Sequence, residues 1–418
     1  MVGSGGREHA LVWKIRQSHL VDKVYCAPGN GGIAGIAECV EIKAGDITGL
    51  IGFATRNKID LTVVGPEGPL ADGIVDRFNV NGLRIFGPSK QAAKIEASKV
   101  FMKELSGKYN IPTADFEVFT DSASTRKYIK DLKGKFVVKA DGLAAGKGVV
   151  VCSSKEEGIV AVEAMMDKKV FKEAGNKVII EECLEGEEAS IIVVTDGKDV
   201  VPLASAQDHK RIFDGDNGPN TGGMGAYSPA PVVTGQLMNS IMSGIIKPTI
   251  EALEKEGARY SGALYAGLMI TKDGPKLLEY NCRFGDPETQ AILPRLKSDI
   301  VELIEASIDD EMDMAAPQWD DRPCVSVVLS SGGYPGDYST GYEIEGLDAA
   351  EKIKDVFVFH AGTKLLDGKL VTSGGRVLNV TALGSDIKDA IERCYDAVNL
   401  IEFEGIHFRR DIGWRAQR

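Results

Sequence analysis

The most informative stretch of this sequence is Leu277-Leu-Glu-Tyr-Asn-Cys-Arg-Phe-Gly-Asp-Pro-Glu-Thr-Gln290. Its apolar beginning has the length and composition of a β-strand. Because alternate strand residues share one face, Glu279, Asn281 and Arg283 are predicted to point together, with Cys282 on the opposite face. Mg²⁺ takes carboxylate and amide oxygens together with phosphate, and a guanidinium pairs with phosphate. Local sequence leaves two interpretations open: a magnesium and phosphate site, or a salt-bridged strand end before a turn.

Composition narrows the class of protein. The chain has 418 residues, with 49 basic and 61 acidic side chains and a net charge of −12. This balance argues against sequence-independent nucleic-acid binding and favours small-molecule partners. Seven cysteines are scattered without a CxxC pair, which indicates a reducing compartment. No apolar run is long enough to span a membrane. We therefore expect a cytoplasmic protein that binds neither nucleic acid nor membrane.

Three glycine-rich loops mark residues 1–97: Gly3-Ser-Gly-Gly-Arg-Glu-His9, Pro28-Gly-Asn-Gly-Gly32 and Gly65-Pro-Glu-Gly-Pro69. Repeated strand, glycine loop and helix units predict one α/β domain with a doubly wound parallel sheet, whose loops converge at the carboxyl ends of the strands. Backbone amides at such loops bind phosphate, so a phosphate site is one interpretation and a tight structural turn is the other. Very little chain precedes the first loop, which makes a first strand doubtful.

Residues 98–316 contain three unusual connections. Lys139-Ala-Asp-Gly-Leu-Ala-Ala-Gly-Lys-Gly148 differs from a P-loop in its spacing and in the strand that follows it. It fits either a mobile flap over polyphosphate or a plain flexible hairpin. The acidic connection after Val178-Ile-Ile-Glu-Glu182 is either an adenine-binding hinge or a solvated turn. The stretch from Ser205 to Pro229 is predicted to be a structureless but functional loop.

The remaining elements are predicted from apolar spacing. Residues 317–418 are expected to form a final α+β domain, in which Gly374-Gly375 is interpreted as a turn. Two helices are predicted to be continuous, one near Leu70 to Phe78 and one from Lys90 to about Leu105.

Taken in order, these loops resemble the glycinamide ribonucleotide synthetase family, the phosphoribosylamine–glycine ligases of the ATP-grasp superfamily. The resemblance covers essentially the whole chain through Gly3-Ser-Gly-Gly-Arg-Glu-His-Ala10, Pro28-Gly-Asn-Gly-Gly32, Gly65-Pro-Glu67, Lys139-Ala-Asp-Gly-Leu-Ala-Ala-Gly-Lys-Gly148, Asp208-His-Lys-Arg211, Asn220-Thr-Gly-Gly-Met-Gly-Ala-Tyr-Ser-Pro229 and Arg283-Phe-Gly-Asp-Pro-Glu288. It implies an α/β and α+β multidomain protein: an N-terminal doubly wound parallel-sheet domain (1–97), central ATP-grasp domains (98–316) with a mobile subdomain at about 119–186, and a C-terminal α+β domain (317–418).

The same resemblance implies an activity in de novo purine biosynthesis. Members of the family ligate glycine to 5-phosphoribosylamine with ATP, through a glycyl phosphate, and release ADP and phosphate. The implied cofactors are ATP and Mg²⁺, with Mn²⁺ as the other metal. We further expect a monomer.

Individual residues take implied roles by position in the family motifs. Glu279 and Asn281 are implied metal ligands, and the implied catalytic residues are Arg283, Lys147 and Asp214. The implied ATP-binding residues are Lys103, Lys139, Lys147, Glu181, Glu182, Leu184 and Glu188. The implied substrate-binding residues are Gly5, Gly6, Arg7, Asn30, Gly32, Pro66, Glu67, Asp208, His209, Asp214, Arg283, Gly285 and Asp286. Tyr265 stands where many superfamily members carry another metal carboxylate, which leaves the shell of a second metal open.

Three alternatives remain open at this point. Another ATP-grasp ligase or carboxylase would act on a different carboxylate, such as bicarbonate or formate. A dinucleotide-dependent oxidoreductase is disfavoured, because Gly3-x-Gly5-x-x-Glu8 lacks the third glycine of that fingerprint. A non-catalytic ligand-binding protein is the third alternative.

Overall fold

The N-terminal region is a parallel sheet covered by helices. The structure, a computed structural model, describes residues 1–143 and 148–417. Its strands are β1 (Val2–Gly3), β2 (Tyr25–Pro28), β3 (Glu38–Cys39), β4 (Thr62–Val63) and β5 (Ile85–Phe86), and its helices are α1 (Gly6–Ile15), α2 (Ile47–Asn57), α3 (Glu67–Ala71) and α4 (Ile74–Val80). The order is β3-β2-β1 and β4-β5, joined by a parallel bridge from Val2 to Val64. The predicted doubly wound sheet is confirmed, and the doubted first strand is present.

Two helices that the sequence predicts as continuous are interrupted. Gly73, at φ 88°, separates α3 from α4, because a left-handed backbone conformation cannot continue a right-handed helix. The second predicted helix divides into α5 (Lys94–Ala97) and α6 (Lys99–Lys108). Ser98 lies between them with an extended backbone, and its side chain accepts a hydrogen bond from the Phe101 amide, which caps α6. The break turns Lys99 into the first residue of α6.

A four-stranded antiparallel sheet follows, and we call it the flap sheet. Its order is β6-β9-β7-β8. Its strands are β6 (Phe116–Phe119), β7 (Phe136–Ala140), β8 (Val149–Cys152) and β9 (Val178–Glu182), and helices α7 (Ser122–Asp131) and α8 (Lys155–Val162) cover it. The buried apolar residues between Ile129 and Ile180 form a separate hydrophobic cluster. The flap sheet therefore has a small core of its own.

The next segment builds a second antiparallel sheet of order β11-β10-β16-β17, which we call the base sheet. The elements of this segment, of which only β10, β11, β16 and β17 belong to the base sheet, are in chain order β10 (Glu187–Thr195), β11 (Val200–Pro202), β12 (Gln207–Asp208), β13 (Arg211–Phe213), β14 (Asn217–Asn220), β15 (Gly225–Ser228), α9 (Gly235–Ile241), α10 (Lys247–Lys255), β16 (Gly262–Thr271), β17 (Gly274–Asn281), α11 (Glu288–Ile292) and α12 (Ile300–Ile308). Its buried residues share clusters with the N-terminal domain, for example Ile191 and Leu264 with Val2. The base sheet is thus fixed to the N-terminal domain by common cores.

The C-terminal region completes a third sheet, of order β12-β15-β18-β22-β19. Its further elements are β18 (Cys324–Ser330), α13 (Leu347–Ala350), β19 (Val356–His360), β20 (Thr363–Leu366), β21 (Lys369–Thr372), β22 (Arg376–Leu383) and α14 (Ile387–Val398). The prediction of a structureless loop from Ser205 to Pro229 is wrong. Its backbone groups pair in β12 to β15, and β15 lies antiparallel to β18 from Gly225 opposite Val327 onward. In the described part of the chain, no helix is long and apolar enough to cross a bilayer.

Candidate active site

The main cavity, of about 1000 Å³, lies between the flap sheet and the base sheet. Val137 and Lys139 of β7 line it on the flap side, and Glu279 and Asn281 of β17 line it on the base side. The connection from β9 to β10 joins the two sheets and also lines the cavity. Two sheets joined by one short connection enclose the space in which a nucleotide would lie.

The end of β17 presents the predicted polar face to this cavity. Glu279, Asn281 and Arg283 all line it. Cys282 is buried and does not line the cavity, and its amide and its thiol both donate to Oε2 of Glu96, at 2.7 and 3.0 Å. β17 ends at Asn281, so Glu279 and Asn281 line the cavity from the strand as predicted, whereas Arg283 lines it from the bend that follows.

Two carboxylates hold Arg283. Its Nε lies 3.3 Å from Oε2 of Glu67, its Nη2 lies 3.5 Å from Oε1 of Glu96, and its Nη1 donates to the carbonyl of Phe284 at 3.1 Å. Burial alone would lower the pKa of Arg283, but the negative charges of Glu96 and Glu67 outweigh it and raise that pKa. The guanidinium is therefore a permanent, fixed cation.

A group of carboxylates surrounds Glu279. Glu188, Asp208, Glu279 and Glu288 all line the cavity near Lys210, whose Nζ lies 2.6 Å from Oε2 of Glu188. Burial raises the pKa of Asp208 to about 7, and the nearby carboxylates add to this effect. The positive charge of Lys210 opposes it but is outweighed. Negative charge exceeds positive charge here, and the donors are carboxylates with one amide. This donor set fits a hard divalent cation at Glu279 and Asn281.

Tyr265 belongs to a hydrogen-bonded chain. Its hydroxyl lies 3.0 Å from the Ser190 hydroxyl, which donates to Oε1 of Glu288 at 2.9 Å. Glu288 reaches the cavity from α11. Tyr265 and Ser190 thus hold the Glu288 carboxylate beside the cavity.

Two lysines share one carboxylate beside the flap side of the cavity, which Lys139 lines and Lys103 does not. Nζ of Lys139 and Nζ of Lys103 lie 2.9 and 3.0 Å from the same Oε2 of Glu181. Lys139 also donates to the Leu278 carbonyl of the base sheet at 3.2 Å. Lys99 lines the cavity and donates to the Gly142 carbonyl at 2.9 Å. Lys99 and Lys139 are therefore placed to meet polyphosphate.

The connection between the sheets has little room to change. Glu182, Leu184 and Glu188, which the resemblance implies as ATP-binding residues, line the cavity. A Cβ on Gly186 would lie 2.2 Å from the Ile270 carbonyl oxygen. Only glycine fits at that point, because backbone atoms approach too closely for a side chain.

A smaller cavity of about 320 Å³ adjoins the N-terminal domain. Gly5 and Asn30 line it on one side, and Thr363 and Ser373 of the C-terminal region line it on the other. Asn30 joins the two sides, since its Nδ2 donates to the carbonyls of Ser4 and His360 at 2.9 and 2.8 Å. Small hydroxyl and amide groups suit a sugar phosphate.

Three family models match the chain in series. They are described as the N domain, the ATP-grasp (A) domain and the C domain of phosphoribosylglycinamide synthetase, and they match residues 1–96, 97–289 and 324–415. The chain is 51% identical over 412 residues to a phosphoribosylamine–glycine ligase of Caldanaerobacter subterraneus, covering 99% of this chain and 98% of that protein.

The chain belongs to the phosphoribosylglycinamide synthetase family. A phosphoribosylamine–glycine ligase of Salmonella typhimurium is 52% identical over 420 residues, covering 100% of this chain and 98% of that protein.

Solved structures agree with this membership. The crystal structure of a phosphoribosylamine–glycine ligase from Thermotoga maritima has a TM-score of 0.84 at 35% identity and 98% coverage of both chains. A biotin carboxylase domain from Hydrogenobacter thermophilus has a TM-score of 0.73 at 15% identity, covering 97% of this chain and 90% of that chain, which shows a shared fold alone.

The implied ATP-binding role of one lysine, Lys103, does not match its position, because it does not line the main cavity. Lys103 is fully buried, and besides Glu181 it contacts the Thr113 hydroxyl at 2.7 Å. Burial lowers its pKa to about 8 although Glu181 opposes this effect. It lies one helical turn beyond Lys99, so the break at Ser98 brings Lys99, and not Lys103, to the cavity. Lys147, the other implied lysine, lies outside the described residues.

Two residues between β12 and β15 with implied roles in the site, Asp214 and His209, do not line the main cavity. Asp214, an implied catalytic residue, is exposed and accepts a hydrogen bond from the Arg410 amide, whereas Asp216 lines the cavity. His209 is fully buried beside Tyr227, and burial lowers its pKa to about 3. The turn at Gly215, at φ 67°, reverses the direction of neighbouring side chains.

Three glycines with implied substrate roles do not line either cavity of the described chain. A Cβ on Gly6 would lie 2.4 Å from Nδ2 of Asn379, and one on Gly32 would lie 2.3 Å from the His360 ring. A Cβ on Gly285 would lie 2.6 Å from Oε2 of Glu288. These glycines allow close packing around the site. Four other residues with implied substrate roles, Arg7, Pro66, Glu67 and Asp286, line the main cavity.

Sequence reasoning missed the C-terminal contributors. Arg376 Nη1 donates to the Gly222 carbonyl at 2.8 Å, and the Tyr334 hydroxyl accepts from the Gly222 amide at 3.0 Å. Arg415 donates to the Asp208 carbonyl at 3.2 Å and lies 2.6 Å from Oδ2 of Asp216. Arg376 directly follows Gly374-Gly375, which was interpreted as a turn, so the only available signal was an arginine after two glycines.

Proposed function

We propose that this chain ligates glycine to 5-phosphoribosylamine with ATP, giving glycinamide ribonucleotide, ADP and phosphate in de novo purine biosynthesis. The observation that carries the proposal is the identity of 51 to 52% to phosphoribosylamine–glycine ligases over essentially the whole chain. Biotin carboxylases share only the fold at 15% identity, which disfavours a carboxylase.

ATP lies between the flap sheet and the base sheet in this proposal. Its adenine meets the connection near Glu182 and Leu184, and its phosphates meet Lys99 and Lys139, which line the cavity. Glu279 and Asn281 would hold a divalent cation, Mg²⁺ or Mn²⁺, which neutralises polyphosphate charge.

Arg283 stabilises the phosphoryl transfer. The carboxylate of glycine attacks the γ-phosphate, and negative charge develops on the transferred group. A cation already fixed by Glu67 and Glu96 needs no reorganisation as that charge develops. Closure of the flap sheet then excludes water from glycyl phosphate, which would otherwise hydrolyse.

Phosphoribosylamine places its phosphate and ribose in the smaller cavity. Gly5 and Asn30 contribute from the N-terminal domain, and the hydroxyls of Thr363 and Ser373 contribute from the C-terminal region. Its amine then reaches the main cavity, where it displaces phosphate from glycyl phosphate.

Under this proposal the chain acts as a cytoplasmic monomer. Light scattering after size-exclusion chromatography measures its mass and so tests the monomer.

The deciding experiment measures ADP production with each substrate omitted in turn, and follows glycinamide ribonucleotide by mass spectrometry. We expect ADP and the amide to form in equal amounts only when glycine, phosphoribosylamine and ATP are all present. Bicarbonate or formate replacing glycine at full rate would overturn the proposal in favour of another ATP-grasp activity.

A further inference from the structure

The two cavities share part of their lining. Of the described residues, Asp286 and Arg376 are the two that line both the main cavity and the smaller cavity. Asp286 lies in the turn between β17 and α11, three residues after Arg283. Arg376 is the first residue of β22 in the C-terminal sheet. A substrate that extends from the smaller cavity into the main cavity would lie beside this pair.

Hydrogen bonds fix one oxygen of Asp286. Its Oδ1 accepts from Nε2 of Gln290 at 2.8 Å and lies 3.2 Å from Nη1 of Arg376. The same Nη1 donates to the Gly222 carbonyl at 2.8 Å and to the Asp286 carbonyl at 3.1 Å. Both the side chain and the backbone of Asp286 are therefore tied to Arg376.

The second oxygen of Asp286 remains available. Oδ2 lies 3.5 Å from the position that a Cβ would take on Gly5, which lines the smaller cavity. Among the contacts between described residues, no hydrogen bond reaches Oδ2. Asp286 thus offers one anchored oxygen and one free acceptor at the junction of the two cavities.

The charges around Asp286 keep it ionised. The charged groups facing it are Arg376 from β22, Arg7 from α1 and Arg283 from the end of β17. Burial alone would raise the pKa of Asp286, but these arginines, with the Gln290 hydrogen bond, outweigh it and lower that pKa. A carboxylate that is charged at neutral pH can accept a proton.

We propose that Asp286 accepts the proton that the amine of phosphoribosylamine loses when it attacks glycyl phosphate, and that Arg376 is the positioning residue for Asp286. The nitrogen forms a bond to the glycyl carbonyl carbon, and the bond from that carbon to the phosphate oxygen breaks. Phosphate leaves with the bonding electron pair. One proton passes from nitrogen to Oδ2 and then to the departing phosphate or solvent.

This inference rests on the proposed function, so the test separates the two chemical steps. Single-turnover reactions with glycine, phosphoribosylamine and limiting ATP are quenched, and the rates of ADP and amide formation are measured separately. In the wild-type protein we expect both products to form together. In Asp286→Asn, which keeps the shape of the side chain, we expect ADP formation within about threefold of wild type and amide formation slowed at least about 100-fold, a usual contribution of a general base.

A matched control is Asp273→Asn, since Asp273 is exposed in the turn between β16 and β17. It should leave both rates unchanged. Equal slowing of ADP and amide formation in Asp286→Asn, or no slowing of the amide, would overturn the proposal. Absence of glycine-dependent ADP formation in the wild-type protein would instead overturn the proposed function.

Arg376→Met tests the positioning role through a pH profile. Loss of this guanidinium removes a charge that lowers the pKa of Asp286, so the acidic limb of amide formation should move to higher pH. Arg376→Lys keeps the charge and should restore much of the original limb. A purely structural role for Arg376 would lower the rate without moving the limb, and that result would remove Arg376 from the proposal.

Discussion

The two sheets that enclose the main cavity differ in what holds them. The flap sheet packs on its own small cluster of apolar residues, whereas the base sheet shares its clusters with the N-terminal domain. Glu279, Asn281 and Arg283 all lie at the end of the base sheet, and the flap sheet contributes Lys139 and the apolar wall at Val137. The comparison shows that these three side chains lie on or just after the sheet that shares its core with the N-terminal domain, whereas Lys139 lies on the sheet that packs on a core of its own.

The largest expected effect is on the base sheet. We expect Glu279→Gln to lower kcat for ADP formation by about 100- to 1000-fold, because a neutral amide would bind the divalent cation proposed at Glu279 and Asn281 less strongly than a carboxylate does. Steady-state ADP release measures it. Glu254→Gln, on the exposed side of α10, is the matched control and should remain active. Full turnover by Glu279→Gln would show that the anchored face is not the reacting face.

The ion pairs between α6 and the flap sheet give the next largest effect. Burial lowers the pKa of Lys103 to about 8, so between pH 8 and its unfolded value of 10.5 the unfolded chain binds more protons than the folded one. The free energy of unfolding of the wild-type protein should therefore rise with pH across this window, by up to about 3 kcal/mol relative to Lys103→Met. Urea denaturation of both proteins at several pH values tests this slope. Parallel slopes would contradict it.

The connection between the two sheets should be sensitive to one added methyl group. Gly186→Ala would push a Cβ against the Ile270 carbonyl, and we expect the KM for ATP to rise about tenfold as the sheets separate, an overpacking cost of about 1 to 2 kcal/mol. Initial rates at varied ATP concentration measure it. Gly235→Ala is the control, because no atom lies within 4 Å of a Cβ there. An unchanged KM would mean that the connection adjusts without moving the sheets.

The smallest effect is expected on the outward face of the same strand end. Cys282→Ser should keep kcat within about twofold, since a hydroxyl can replace the thiol as a donor to Glu96. The side chain at position 282 also does not line the cavity. Glu96→Gln should cost more, roughly tenfold in kcat, because it weakens a charged partner of Arg283. If the cysteine variant were the more damaged of the two, the division of the strand into an inner and an outer face would fail.

Sequence predicted most reliably where a single periodicity decides the outcome. Alternation along β17 placed Glu279 and Asn281 at the cavity, and glycine loops after short strands predicted the parallel N-terminal sheet, both as found. Arg283 also lines the cavity, but from the bend after the strand. These features depend on neighbours in the chain, so local physics is sufficient to predict them.

The failures have two causes, a local break in the backbone and a long-range contact. Choosing Lys99 over Lys103 required knowing that Ser98 would begin a new helix, and choosing Asp216 over Asp214 required the left-handed turn at Gly215. Arg376 and Arg415 reach the site only because β15 pairs with β18 and brings the C-terminal region against it. Contacts between residues more than a hundred positions apart leave no local signal in one sequence.

The pairing of β15 with β18 also sets an order of events during synthesis. Ser228 lies opposite Cys324, and Asp208 receives a hydrogen bond from Arg415 at the far end of the chain. At about 5 to 20 residues per second, a ribosome needs roughly 10 to 40 s to travel from Ser228 to Arg415. During that interval β15 leaves the ribosome without its partner β18. A nascent chain therefore carries an open strand edge beside an incomplete cavity until the residues up to Arg415 have been made.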